Sequence, residues 1–335
     1  MDVTRATLNL RKMRWVAWLR GLAVSMLFVV LAIVPTACDP VGPELTPEPY
    51  RPRSAHQAYG HALAQTRLVQ AALGHDWLAA AERALFAAER ISTPFSAQGT
   101  FTADRAQALG YGFSAEAGQR VLIDITVDAL EPLETFVDIF RVSETGFVHV
   151  ASAAASPQQG VTIHTEQLEL EVLEPSQYVL RVQPELLRAG EYNVSISTVP
   201  LLAFPVQGLD SRAIQSGFGA ERDGGVRAHR GVDIFANRGT PALAAMDSWV
   251  MRVNTTPRGG NVVWLQPLFT DMRLYYAHLD TQLVQRGQFV QAGEVIGKVG
   301  NTGNAITTPP HLHFGVYLRR RGMRGGARDP YHFLN

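Results

Sequence analysis

Between about Thr100 and Val199 the apolar residues recur at every second position, a period that suits strands and not helices. Val121, Ile123, Ile125 and Val127 alternate with Leu122, Asp124, Thr126 and Asp128, and Tyr192, Val194 and Ile196 alternate with Asn193, Ser195 and Ser197. Leu180 and Val182 flank Arg181 in the same way. Successive side chains of a strand point to opposite faces, so each run presents one apolar face and one polar face. Turn signals at Glu144-Thr145-Gly146 and Pro157-Gln158-Gln159-Gly160 punctuate the region. Several short strands separated by such turns build a β-sandwich. Asp124 and Asp128 read as outward strand positions, and His149 and His164 as isolated histidines with no catalytic partner.

The segments ahead of the sandwich differ in kind. Arg5, Arg11, Lys12, Arg14 and Arg20 precede an apolar run from Gly21 to Val34, which meets Pro35-Thr36-Ala37-Cys38. A basic start, a short apolar core and small residues before a break describe a secretory signal. Cys38 is the sole cysteine of the 335-residue chain, and its setting resembles the lipobox of bacterial lipoproteins, with Pro35 in place of the usual leucine. An uncleaved anchor starting near Met13 and a plain signal peptide with an incidental cysteine are the alternatives. In each case the part beyond Cys38 has no disulfide available, so its stability comes from packing. Prolines at 40, 43, 47, 49 and 52 mark an extended tether, which could reach on the order of 40 Å as polyproline II. From His56 to Ile91 the pattern predicts two helices, with Gly74 breaking the run and Leu78, Ala81, Leu85 and Ala88 on one face. His56, His61 and His75 share no ligand spacing and read as surface residues. Lysine plus arginine equals aspartate plus glutamate at 30 each, so charge points to no nucleic acid.

The chemistry lies beyond Phe204. Ser216-Gly217-Phe218-Gly219 leads into His229-Arg230-Gly231-Val232-Asp233, an imidazole and a carboxylate separated by three residues, with Gly231 permitting a close approach of the chain. Tyr275-Tyr276-Ala277-His278-Leu279 is an apolar strand-like run that ends near a histidine. Glycines between short apolar pairs from Gly287 to Gly300 suit the tight turns of a small, curved antiparallel sheet. In Pro310-His311-Leu312-His313-Phe314 a strand would put both histidines on one face and Leu312 on the other. Each motif alone is ordinary.

Their order, His229, Asp233, His278, His311, His313, resembles the lysostaphin/LytM-type zinc endopeptidases that cut peptidoglycan. The resemblance covers about 205 to 333 and includes Arg238-Gly239-Thr240-Pro241 and Asp329-Pro330. It implies one zinc per chain held by His229, Asp233 and His313, with His278 and His311 as the catalytic pair beside a metal-activated water. Two imidazoles and a carboxylate leave a tetrahedral zinc one open position, and water there has its pKa lowered to about 7. Asp223 stands where some Gram-positive members carry a tyrosine, and Thr307-Thr308-Pro309-Pro310 is bulkier than the family's usual approach to the His-x-His strand. Arg319, Arg320, Arg321 and Arg324 read as a solvated hairpin tip, or as a contact for peptidoglycan carboxylates. In the middle region, Tyr178-Val179-Leu180-Arg181-Val182 and Gly190-Glu191-Tyr192-Asn193-Val194 are similar to the pre-peptidase C-terminal type of sandwich.

The expected organisation is mainly β: a lipoprotein-type signal over 1–38, a Pro-rich tether over 39–54, a helical segment over 55–92, an accessory β-sandwich over 97–200 and a small antiparallel β catalytic domain over 204–335. The expected function is a zinc endopeptidase acting on peptidoglycan cross-links, exported to the cell envelope as a periplasmic, membrane-anchored lipoprotein. A catalytically silent peptidoglycan-binding activator of cell-wall amidases is the alternative, and a secreted lysin against competitors a further one.

Overall fold

The computed structural model describes residues 51–155, 163–222, 224–318 and 326–335, and residues 51–335 form one compact unit. Cys38, the apolar run before it, the tether up to Tyr50, the Pro157–Gly160 turn, Asp223 and the Arg319–Arg324 cluster lie outside the described residues, as does the side chain of His164. Among the described residues no helix is long and apolar enough to cross a membrane.

The period-two region folds as two facing sheets. A four-stranded sheet runs in the order Phe95–Phe101, Gly190–Pro200, Gln119–Asp128, Ile163–Val172. It packs on a five-stranded sheet ordered Glu89–Arg90, Leu109–Ala115, Ser176–Pro184, Thr135–Ser143, Gly146–Ala155. Val121, Ile123, Ile125, Val127, Val194 and Ile196 point into the shared core, while Asp124 is half-buried and Asp128 exposed. The alternation read from the sequence therefore holds for the four-stranded sheet, whose far side faces water.

It fails for the five-stranded sheet, and the helices explain why. Helix α1 (Ala55–Gln65), capped by the Ser54 side chain accepting from the Gln57 N–H, and helix α2 (Ala72–Phe86) lie on that sheet. Phe136, Asp138, Arg181 and Gln183, which alternation would leave in solvent, are buried. Arg181 is consequently not a solvated partner of Leu180 and Val182. Its Nη2 donates to Asp138 Oδ2 at 2.7 Å, and His149 Nε2 lies 2.9 Å from Asp138 Oδ1. His149, expected to be isolated, joins this buried Arg181–Asp138 pair, because a carboxylate taken out of water needs polar partners for its oxygens.

Within α2 the buried face is Gly74, Trp77, Ala80, Ala81 and Ala84, whereas Leu78 is exposed. Trp77 is the anchor that sets this phase. Gly74 does not end a helix. It lies inside α2, where a Cβ would come within 2.2 Å of the Leu68 carbonyl, so glycine lets the α1–α2 connection pass close.

His56 is likewise buried rather than at the surface. Its ring stacks on Trp77 at 4.5 Å, and its Nε2 lies 2.6 Å from Gln183 Oε1. Burial and the nearby Arg181 charge lower its pKa to about 4, against smaller raising effects from Gln183 and Asp138. A lowered folded-state pKa means that the unfolded chain takes up the proton first as pH falls. Stability is then full above about pH 6.5 and declines through pH 4, by an amount on the order of a few kcal/mol. The urea midpoint followed by tryptophan fluorescence is expected to fall across that window, and to fall less in His56→Asn.

From Ile214 onward a further, antiparallel sheet carries a second apolar core around Val232, Ile234, Leu274, Tyr276, Leu312 and Phe314. Its path runs Ile214–Ser216, Val232–Phe235, His311–Leu318, Met272–Gln282, Gly260–Pro267, Ser248–Thr256, Phe289–Val290. Gly287 and Gly293 turn with positive φ, as the glycine spacing predicts. The short C-terminal helix Tyr331–Leu334 closes against the sandwich: Phe333 O accepts from the Leu202 N–H, and Gly118, at φ +89°, has no room for a Cβ beside the His332 carbonyl.

Candidate active site

Three neighbouring strands bring the site residues together. Asp233 lies directly opposite His313, and Phe235 opposite His311, in the antiparallel pair Val232–Phe235 and His311–Leu318. On the other side His313 is opposite Ala277. His311 and His313 therefore share a face, while Leu312 is fully buried in the core behind them. His229 enters from the turn before its strand. Gly231 makes that approach possible, since a Cβ there would meet the Phe314 carbonyl at 2.4 Å and the His313 ring at 2.8 Å.

His229 Nε2, Asp233 Oδ1 and His313 Nδ1 lie 2.9–3.0 Å from one another. Two imidazole nitrogens and a carboxylate oxygen so closely spaced are lone pairs converging on one point. A zinc ion, at about 2.0–2.2 Å from such nitrogen and oxygen ligands, fits the apex of a triangle of this size. These three form the group among the described residues that could hold a metal ion. Burial pushes the Asp233 carboxyl up, but its close contacts with His229 and His313 outweigh that and hold the group well below the usual carboxylate range. Burial lowers the pKa of His313, which favours the neutral imidazole that a metal would require.

The orientation of each remaining imidazole is set by a carbonyl that can only accept. His229 Nδ1–H donates to Gly217 O at 2.8 Å, which leaves Nε2 for a metal. His278 Nδ1–H donates to Thr302 O at 2.8 Å, and His311 Nδ1–H to Pro309 O at 2.9 Å. Thus the Ser216–Gly219 stretch and the bulky Thr307–Pro310 approach both have a part in the site. The two rings stand 5.1 Å apart, and His311 Nε2 is 4.0 Å from Asp233 Oδ1, outside the three-atom cluster.

His278 reaches the site against its own strand. Simple alternation from Tyr275 and Ala277, which line the cavity, would send it into the core with Tyr276. Its backbone instead sits at φ +62°, a left-handed conformation that costs a histidine about 1 kcal/mol and turns the ring to the cavity. The Gly259 carbonyl holds that turn by accepting from the His278 N–H at 2.7 Å. Burial lowers the His278 pKa to about 4, so the ring is neutral near pH 7.

Sequence reasoning missed Arg222. Its Nη2 donates to Asp233 Oδ2 at 2.6 Å and to Ser216 Oγ at 2.6 Å, fixing the carboxylate whose other oxygen belongs to the candidate metal-holding group. Arg222→Ala is expected to weaken zinc affinity about 10–100-fold, the usual effect of losing a group that orients a ligand. Competition with a chromophoric chelator would measure it. Also missed was an aromatic wall: Trp264 packs on Tyr275 at 4.4 Å and on Tyr317 at 5.3 Å, lining a cavity of about 630 Å³ over the site. Alternate positions 275 and 317, each on a strand beside the histidines, were its only trace in the sequence.

Two imidazoles and a carboxylate around one point, with two further imidazoles alongside, suit a mononuclear metallohydrolase. Residues 227–328 match peptidase family M23, so the chain carries a domain of that family. The chain is 38% identical over 116 residues to peptidoglycan DD-endopeptidase ShyC of Vibrio cholerae, covering 33% of this chain and 26% of that protein. It is 34% identical over 140 residues to the L-Ala--D-Glu endopeptidase of Bacillus subtilis, covering 39% of this chain and 42% of that one. The solved catalytic domain of lysostaphin from Staphylococcus simulans is 35% identical, with 35% of this chain and 88% of that one covered and a TM-score of 0.32. The match thus spans less than half the length of each of these two relatives.

Proposed function

We propose that the chain is a zinc-dependent endopeptidase, with one zinc per chain, that hydrolyses peptide cross-links of peptidoglycan. The observation that carries this reading is the convergence of His229 Nε2, Asp233 Oδ1 and His313 Nδ1 within 3.0 Å of one another, with His278 and His311 beside them in one cavity. Bound zinc would supply a Lewis acid that activates water and polarises the scissile carbonyl. The chain's own residues do the proton work. His278 and His311 each present Nε2 to the cavity because a backbone carbonyl occupies Nδ1. Neutral His278 suits the acceptor of the water's proton, which then passes to the leaving amine. His311, whose Nε2 faces the same cavity, would donate to the developing oxyanion in its imidazolium form, with protons on both ring nitrogens. All five positions are filled, which favours an enzyme over a silent activator of amidases.

A D,D-type stem cross-link is the preferred bond, in keeping with the names of the Vibrio relatives. Export to the envelope, by the signal ahead of Cys38 and with a lipid or anchor there holding the protein to a membrane, would place the enzyme on a substrate too large to diffuse. The test is zinc content and digestion of purified sacculi on one sample. Zinc at one per chain with release of uncross-linked muropeptides is expected, both being lost in His313→Ala. Intact cross-linked muropeptides after digestion with zinc-loaded protein would overturn the proposal.

A further inference from the structure

The cavity over the site is lined by four arginines, Arg222, Arg227, Arg230 and Arg258, against one carboxylate, Asp233. Arg222 is committed to Asp233. Arg230 and Arg258 are different. Both are exposed at the cavity wall, and among the described residues neither has a carboxylate partner. Each lies close to a tyrosine of the aromatic wall: burial raises the pKa of Tyr317 and of Tyr275, and the charges of Arg230 and Arg258 respectively offset part of that rise. Their backbones are also fixed by the site. Arg230 sits between His229 and Gly231, and Arg258 immediately precedes Gly259, whose carbonyl holds the left-handed turn of His278. Two guanidinium groups are therefore presented at defined points around the reacting centre, over an aromatic surface on which a peptide can lie. A metal ion would make this wall more positive still, so a neutral glycine chain would leave both guanidiniums without counter-charge.

We propose that Arg230 and Arg258 form a carboxylate-reading subsite, which selects peptide stems bearing free carboxylates over neutral or amidated peptides. The proposal rests on the endopeptidase reading above and names its substrate class. A guanidinium presents a planar fork of donors that matches a carboxylate and loses most of that match to a carboxamide. Selection then acts on substrate binding and not on the chemistry at His278 and His311.

The experiment uses the zinc-loaded full chain and two probes: a peptidoglycan stem peptide with free carboxylates, and the same peptide with those groups converted to carboxamides. Binding is read by calorimetry and cleavage by chromatography. The carboxylate peptide is expected to bind about tenfold more tightly, with each arginine contributing up to about fivefold at a solvent-exposed site. In R230Q/R258Q the two peptides should bind equally, with carboxamide binding and zinc content as in the parent. R230K/R258K should recover part of the preference through charge alone. Raising sodium chloride should weaken only the carboxylate complex. Equal binding of both peptides by the parent chain, or a preference that survives in R230Q/R258Q, would overturn the subsite. Preferential binding without cleavage would instead overturn the endopeptidase reading and leave the subsite standing.

Discussion

His311→Ala is expected to lower turnover of a cross-linked muropeptide by roughly 10²–10⁴-fold while the chain keeps its zinc. The separation follows from geometry. His311 Nε2 is 4.0 Å from Asp233 Oδ1, whereas the three proposed ligand atoms lie 2.9–3.0 Å apart, so removing the His311 ring leaves the ligand set intact. Phe235 stacks on His311 at 5.1 Å and would lose that contact, but the strand pairing of Phe235 with position 311 is made by backbone and survives. His278→Ala should act in the same direction. Because the two rings act together in one chemical step, the double variant should be little worse than the poorer single one. Metal analysis beside single-turnover kinetics checks both points. Loss of zinc in His311→Ala would show that this histidine is a ligand and that the assignment of roles is wrong.

Trp77→Ala is expected to cost about 3–5 kcal/mol of stability, the range for emptying a large aromatic site in a core. Trp77 is 1% exposed, stacks on His56, approaches Phe136 edge-on at 6.1 Å and donates Nε1–H to Pro184 O at 2.9 Å. Its own carbonyl accepts from Gln183 Nε2 at 2.9 Å. Substitution therefore removes apolar contacts and strands a carbonyl, and it loosens α1 and α2 from the sheet beneath them. Urea unfolding would measure the loss. The same variant tests whether the helical segment restrains the enzyme. The cavity over the metal position is lined by residues from Ser216 to Tyr317, none of them helical-segment residues. Specific activity at a temperature where the variant stays folded should then match the parent, and a rise would assign the helices a restraining role.

The sequence alone was enough to place strands where alternation survives folding. The four-stranded sheet has one face on the core and one in water, so Val121 to Val127 carried their burial in their period. It also singled out His229, Asp233, His278, His311 and His313, because their order matches a known pattern, and the fold brings these five to one cavity. What it could not supply depends on contacts between distant segments. Arg181, His149 and His56 were misread because the helices cover a sheet face that alternation assigns to solvent. Arg222 carries no motif of its own, and only the fold brings its guanidinium to Asp233 Oδ2. His278 shows the limit most directly. Its position in the chain points it into the core, and a left-handed residue held by the Gly259 carbonyl turns it to the site. Local pattern determines which residues are available for chemistry. Long-range pairing and backbone conformations that no period encodes decide which of them meet.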